Sequence, residues 1–225
     1  MPSVLSLQHR IKEPSVPTKA SPPLLLLLHG LGGDEGSLFF LASKLDPRFF
    51  FVSVRAPYEL GESSYAWFHV EFAPTGAAIR SDEAESSRVL LLGFIDELAQ
   101  AYGTDPRRVY LLGFSQGAMV SLGAALSCPE KVAGLVAASG RILPELLPGM
   151  ASPDRLEGLP IFVSHGIRDE VVPIHHGRAI RDRLARSPVD LSYREYDMKH
   201  EIRQECIADM SAWLSSRLGK DEANE

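Results

Sequence analysis

Apolar residues gather along this chain in short unbroken blocks. Leu24–Leu28 is five leucines in succession, and Phe49–Val54, Val109–Phe114, Val132–Ala138 and Ile161–Ser164 follow the same style. Blocks of this length, bounded by turn residues and without polar alternation, predict strands buried on both faces. Leu191–Tyr196 is a further, more polar strand, and the weak alternation of Val4–Ile11 predicts an edge strand. Between these blocks the period changes. Asp34–Leu45 carries Leu38, Leu41 and Leu45 at helical spacing. Ser81–Tyr102 opens on acids, places Leu91, Ile95 and Leu98 on one face, and stops at Gly103. Gln116–Ser127, Ile174–Arg186 and Glu201–Leu218 are predicted helices as well, the last with Ile202, Cys206, Met210 and Leu214 in i+4 steps. Glu13–Pro23 is a Pro-rich connection, Pro57–Arg80 has no clear period, and Arg141–Leu159 is broken by prolines.

Strands that alternate with helices, most of them uniformly apolar, predict an α/β fold. Its central sheet is mostly parallel, with helices on both faces. No repeat or linker interrupts the pattern, so one domain over residues 1–225 is expected. Sites in such sheets lie beyond the carboxyl ends of the strands, and every chemical candidate is weighed by that rule.

Composition narrows the classes. The 225 residues are 45% apolar and 23% charged, with a formal net charge of −6 and no Lys/Arg block, which argues against nucleic acid as a partner. Cys128 and Cys206 are far apart and form no metal-binding or disulfide pattern. Residues 1–20 lack the apolar stretch of a signal peptide, and five leucines cannot cross a bilayer, which needs about 20 residues as a helix. Cytoplasmic location without integral membrane association is the expectation.

The polar residues that interrupt the apolar blocks carry the chemistry. Gly113-Phe-Ser-Gln-Gly117 sits between a strand and a helix of small residues. A G-x-S-x-G turn there holds the serine in a strained conformation above the sheet, and the plain alternative is a serine N-cap. A serine hydroxyl needs a base, and the base needs an orienting acid. In this architecture they follow in the order Ser, Asp or Glu, His. His165, His175, His176 and His200 follow Ser115. His200 lies after a strand, whereas His175 and His176 read as solvated or capping and His165 as a turn brace. Asp169 is the acid that best fits a strand's carboxyl end, with Glu170 and Asp197 as competitors. The backbone N–H groups of Gln116 and of Leu31, in His29-Gly-Leu-Gly-Gly33, are the expected donors to a developing oxyanion. His29, which precedes the serine, reads as structural.

Leu28-His-Gly-Leu-Gly-Gly-Asp34, Gly113-Phe-Ser-Gln-Gly117, His165-Gly-Ile-Arg-Asp-Glu-Val-Val-Pro173 and the late His200 together resemble the phospholipase/carboxylesterase family of α/β-hydrolases. The likeness spans nearly the whole chain, in order. It implies an α/β-hydrolase fold without a large lid, with Ser115 as nucleophile, Asp169 as acid, His200 as base, and Leu31 and Gln116 as oxyanion donors. It implies no metal and no cofactor, and it permits a homodimer. Ala66-Trp-Phe68 resembles a family segment near the substrate, so Trp67, Phe68, Tyr65 and Phe72 are expected at the pocket. Lys199 replaces the glycine that often precedes the base in bacterial members, and Glu170 adds charge beside Asp169. The expected activity is hydrolysis of carboxylic esters with an apolar acyl group, through an acyl-enzyme. Hydrolysis of lysophospholipids or acyl thioesters is the alternative within the same chemistry. A non-catalytic ligand receptor on this scaffold is the alternative outside it.

Overall fold

The computed structural model describes residues 5–16, 21–73 and 76–223, with side chains undescribed at 72–77 and from 220 onward. Seven strands form the main sheet: β1 (His9–Lys12), β2 (Leu24–Leu28), β3 (Phe50–Val54), β8 (Val109–Phe114), β9 (Gly134–Ala138), β10 (Pro160–Gly166) and β11 (Asp190–Tyr196). Two small hairpins lie outside it, β4 (Tyr58–Gly61) with β5 (Ser64–Ala66), and β6 (Val70–Ala73) with β7 (Gly76–Ile79). The order across the main sheet is β1-β3-β2-β8-β9-β10-β11. Only β1 runs antiparallel. The helices are α1 (Ser81–Tyr102), α2 (Gln116–Ser127), α3 (Ile174–Leu184) and α4 (Gln204–Ala223).

The leucine run explains itself in this sheet. Leu24, Leu26 and Leu28 enter the core under α1 and α2, while Leu25 and Leu27 enter the core under α4. All five are fully buried. A strand covered on both faces has no solvent side, so a period-2 backbone shows no period-2 sequence. Each such side chain contributes about 1.5–3 kcal/mol on burial.

Strand order creates the site's location. From β2 the chain moves one way to β3, then crosses back to place β8 on the other side of β2. The loops that leave β2 and β8 therefore diverge above a crevice at the carboxyl ends, where open α/β sheets bind ligands.

Several elements differ from expectation. Residues 34–45 hold a 3-10 helix at Phe39–Ser43 instead of an α-helix. The Asp34 carboxylate accepts hydrogen bonds from the Gly36 N–H at 2.9 Å and the Ser37 hydroxyl at 3.0 Å. These local bonds compete with the helical ladder. Leu38, Leu41 and Leu45 are nevertheless buried, as their spacing requires. The aperiodic stretch 57–80 contains the four strands of the two hairpins. β1 begins at His9, and residue 4 of the expected strand lies outside the described residues. β10 extends through His165 and Gly166. The last helix starts at Gln204, leaving His200 in the preceding loop.

Candidate active site

β8 ends on Phe114 and α2 begins at Gln116, leaving one residue for the reversal. That residue, Ser115, takes φ +55°. The turn closes only over glycines. A Cβ on Gly117 would lie 2.1 Å from the Leu28 carbonyl oxygen, and one on Gly113 would lie 2.5 Å from Gly117 and Ala118 backbone atoms. Ser115 donates its N–H to Ala138 at 2.9 Å, and its own carbonyl starts the helix by accepting from Met119 at 3.1 Å. It caps nothing with its side chain, so the N-cap reading fails.

The hydroxyl faces His200 instead. Ser115 Oγ is 3.0 Å from His200 Nε2, and His200 Nδ1 is 2.7 Å from Asp169 Oδ2. With Nδ1–H donating to the carboxylate, Nε2 presents a lone pair to the serine. The Phe114 ring lies 4.8 Å from the imidazole and supports it. Asp169 is buried, and its Oδ1 accepts from the N–H groups of Val171 at 3.0 Å and Val172 at 2.8 Å. The loops bearing Asp169 and His200 are tied together. Ile167 N–H donates to Tyr196 O at 2.9 Å and Arg168 N–H to Met198 O at 3.1 Å.

The competing groups lie elsewhere. Asp197 is exposed and pairs with Arg168 at 2.7 Å. Glu170 and Lys199 are exposed too. His165 is fully buried and bonds Val172 O through Nε2 at 2.7 Å, which braces the Asp169 loop. His29 Nδ1 donates to Gly30 O at 2.6 Å while Nε2 accepts from Ala56 N–H at 3.0 Å. Burial lowers the pKa of both histidines. His29 in this tautomer links the end of β2 to the end of β3.

The glycine turn after β2 is pinned by the β4/β5 hairpin. Gly32 N–H donates to Tyr65 O at 2.9 Å, and Tyr65 N–H to Gly33 O at 3.0 Å. Leu31 immediately precedes the bonded Gly32. Gln116 occupies the first turn of α2, where N–H groups have no helical acceptor and the helix dipole favours negative charge.

A cavity of about 190 Å³ opens beside Ser115 and Gln116, walled by Leu31, Phe68, Met119 and Val171. Arg141 and His176 line it as well, and no sequence pattern placed either at the pocket. His176 reads from the sequence as solvated or capping but is half-buried toward the cleft. Of the expected pocket aromatics, Phe68 reaches the cavity. Trp67 and Tyr65 do not. Trp67 stands behind the wall, with its indole N–H on His29 O at 2.9 Å. Tyr65 packs under the Arg55 guanidinium at 4.5 Å. The Phe72 side chain lies outside the described residues. Gln116 ties the wall to the turn: Oε1 accepts from Trp67 N–H at 3.0 Å, and Nε2 donates to Phe68 O at 2.8 Å.

Comparison with known proteins decides the family. The phospholipase/carboxylesterase family model matches residues 8–218. The chain belongs to the phospholipase/carboxylesterase family. Members of this family are hydrolases of ester bonds. Acyl-protein thioesterase 1 of Kluyveromyces lactis is 30% identical, over 90% of this chain and 96% of that protein. The crystal structure of esterase PE8 is 28% identical and superposes with a TM-score of 0.82, covering 93% of this chain and 98% of that one. The Bacillus cereus carboxylesterase, at 21% identity and a TM-score of 0.79 over 94% of this chain and 95% of that one, shares the fold.

Among the described residues, no three or more His, Cys, Asp or Glu side chains converge as a metal site would require. No helix among them is long and apolar enough to cross a membrane.

Proposed function

We propose that this family member hydrolyses carboxylic esters by covalent catalysis, with Ser115 as nucleophile, His200 as general base and Asp169 as its orienting acid. The observation that carries the reading is the unbroken chain from Ser115 Oγ through His200 to Asp169, at 3.0 and 2.7 Å, beside a largely apolar cavity. Ser115 Oγ bonds to the ester carbonyl carbon as its proton passes to His200 Nε2. The carbonyl oxygen becomes an oxyanion, held by the N–H groups of Leu31 and Gln116. Each such donor contributes about 3–4 kcal/mol to the transition state. Collapse breaks the bond to the alkoxide, which takes the proton from His200 and leaves an acyl-Ser115. Water then gives its proton to His200, attacks the acyl carbon, and returns Ser115 with release of the acid.

The residues that frame the reaction support this assignment. Asp169 holds one imidazole tautomer and offsets the positive charge that forms on His200. Phe68, Met119 and Leu31 offer an apolar wall to the acyl group. At about 190 Å³ the cavity is smaller than the ~300–1,000 Å³ of drug-sized ligand sites, which favours short acyl chains.

Thioester hydrolysis is the second reading, favoured by the similarity to acyl-protein thioesterase 1 and by the exposed apolar rim residues Leu31 and Val171. These would let a longer chain run out of the cavity along the surface. One experiment addresses both. A fluorophosphonate probe and p-nitrophenyl esters from acetate to palmitate are offered to the wild type and to Ser115→Ala, beside S-acyl thioesters of the same acids. The expected outcome is labelling and a burst in the wild type only, with kcat/KM highest for short esters. Full turnover in Ser115→Ala would refute the nucleophile assignment. A preference for long thioesters would replace the first reading with the second.

A further inference from the structure

The cleft beside Ser115 contains a cation that meets no counter-charge among the described residues. Arg141 is half-buried and lines the same cavity as Ser115 and Gln116. The other buried or half-buried arginines, Arg48, Arg55, Arg88, Arg108, Arg181 and Arg217, each face a carboxylate within hydrogen-bond or ion-pair distance. Arg141 forms no ion pair with any acidic side chain among the described residues. No acidic residue lines the cavity either. Taking a charge partly out of water without a partner costs free energy, so the position needs an explanation.

The backbone that delivers Arg141 is built with equal care. Ser139, fully buried at the end of β9, takes φ +50°. Strain of this kind persists only where the surroundings impose it, and it concentrates at functional sites. Gly140 then presses on the first turn of α2. A Cβ there would sit 2.7 Å from the Ala118 Cβ and 3.5 Å from the Ser115 carbonyl oxygen. The strained turn thus sets Arg141 against the nucleophile's own element.

We propose that Arg141 binds an oxyanion carried by the substrate, so that the enzyme selects esters bearing a carboxylate or phosphate over their neutral isosteres. The inference rests on the hydrolase reading above and deepens it. The guanidinium is a planar fork that matches both oxyanions with paired hydrogen bonds. His176 shares the cavity. Its pKa is lowered by burial first, then by the neighbouring His175 and Arg141. Its ring adds a second hydrogen-bonding group to the wall that carries Arg141. The remaining wall is apolar, so the preferred substrate combines a short apolar arm with one anionic group.

Matched pairs test this with the 225-residue chain. The first pair is 4-acetoxybenzoate and 4-isopropylphenyl acetate, with the anion on the leaving group. The second is mono-p-nitrophenyl adipate and p-nitrophenyl 6-methylheptanoate, with the anion on the acyl side. The third is 1-hexanoylglycerol 3-phosphate and 1-hexanoylglycerol. For each pair the anionic-to-neutral ratio of kcat/KM is compared between wild type, Arg141→Gln and Arg141→Lys. A ratio taken on one sample is insensitive to the folded fraction and to the intrinsic reactivity of each ester. Arg141→Gln is expected to lower it about ten- to hundredfold in at least one pair, the span that charge-assisted hydrogen bonds support. Arg141→Lys should recover part of the loss. The pair that responds identifies the oxyanion and its side of the ester bond. Ratios that change less than about twofold in all three pairs, with the neutral esters still hydrolysed, overturn the anion site alone. Failure of the wild type to hydrolyse any of the six compounds overturns the hydrolase reading, and the anion site with it.

Discussion

Three carboxylates compete for His200 in the sequence, and contact geometry separates them. Asp169 is buried, takes two backbone N–H groups on Oδ1 and faces His200 with Oδ2. Asp197 is three positions from His200, yet its carboxylate turns outward to Arg168. Glu170 is exposed. Nearness along the chain is a poor guide here because a side chain at a strand's end points wherever its backbone turn sends it. Asp169→Asn is expected to lower kcat about 10⁴-fold, since the amide supports the wrong imidazole tautomer. Asp197→Asn and Glu170→Gln should each stay within about threefold of wild type. Steady-state kinetics on one p-nitrophenyl ester compares all three, and a collapse in Asp197→Asn would reassign the acid.

At the scale of elements, the β4–β7 insertion and α2 act together. Trp67 anchors the insertion by its indole N–H on His29 O, and Gln116 bonds the backbone on both sides of the Trp67–Phe68 peptide. The side chain after the nucleophile thus secures the pocket wall, while its backbone N–H is free for the proposed oxyanion role. Gln116→Ala keeps that N–H but strands one buried donor and one buried acceptor. It should cost roughly 2–6 kcal/mol in urea unfolding, at about 1–3 kcal/mol for each of the two unsatisfied groups. In kinetics the loss should appear mainly as a raised KM. A variant of wild-type stability would show that water replaces the amide. The aperiodic sequence of residues 57–80 concealed this insertion, because two-stranded hairpins of three or four residues per strand are too short to display a period.

At the scale of the molecule, two buried histidines link folding to pH. Desolvation is the largest effect on both His29 and His165 and lowers their pKa in the folded state. The unfolded chain, with histidine near 6.5, binds those protons first. Stability is therefore full above about pH 6.5 and declines as pH falls below it. The melting temperature should drop between pH 7.5 and 5. His165→Gln, whose amide can still donate to Val172 O and does not titrate, should flatten the slope by up to about 1.4 kcal/mol per pH unit. An unchanged slope would exclude His165 as a source. The polar β1 at one sheet edge, with Arg10 and Lys12, also belongs to this scale, since charged edge strands resist pairing with other chains.

Contiguous residues by themselves determined the layered α/β plan, the bounds of α1, β8 and α2, and the strained turn at Ser115. Buried runs, helical periodicity and the steric need for Gly113 and Gly117 act over a few neighbouring positions, and local sequence records them. The helical spacing of Leu38, Leu41 and Leu45 is local too, but the Asp34 turn that overrides it depends on which side-chain bonds form. Only the tertiary structure decided which acid faces His200, that Trp67 stands behind the wall, and that Arg141 and His176 enter the cleft. Ser115 and His200 are 85 positions apart. Their meeting depends on the order of strands across the sheet and on the loops tied above it, and no local pattern carries that information.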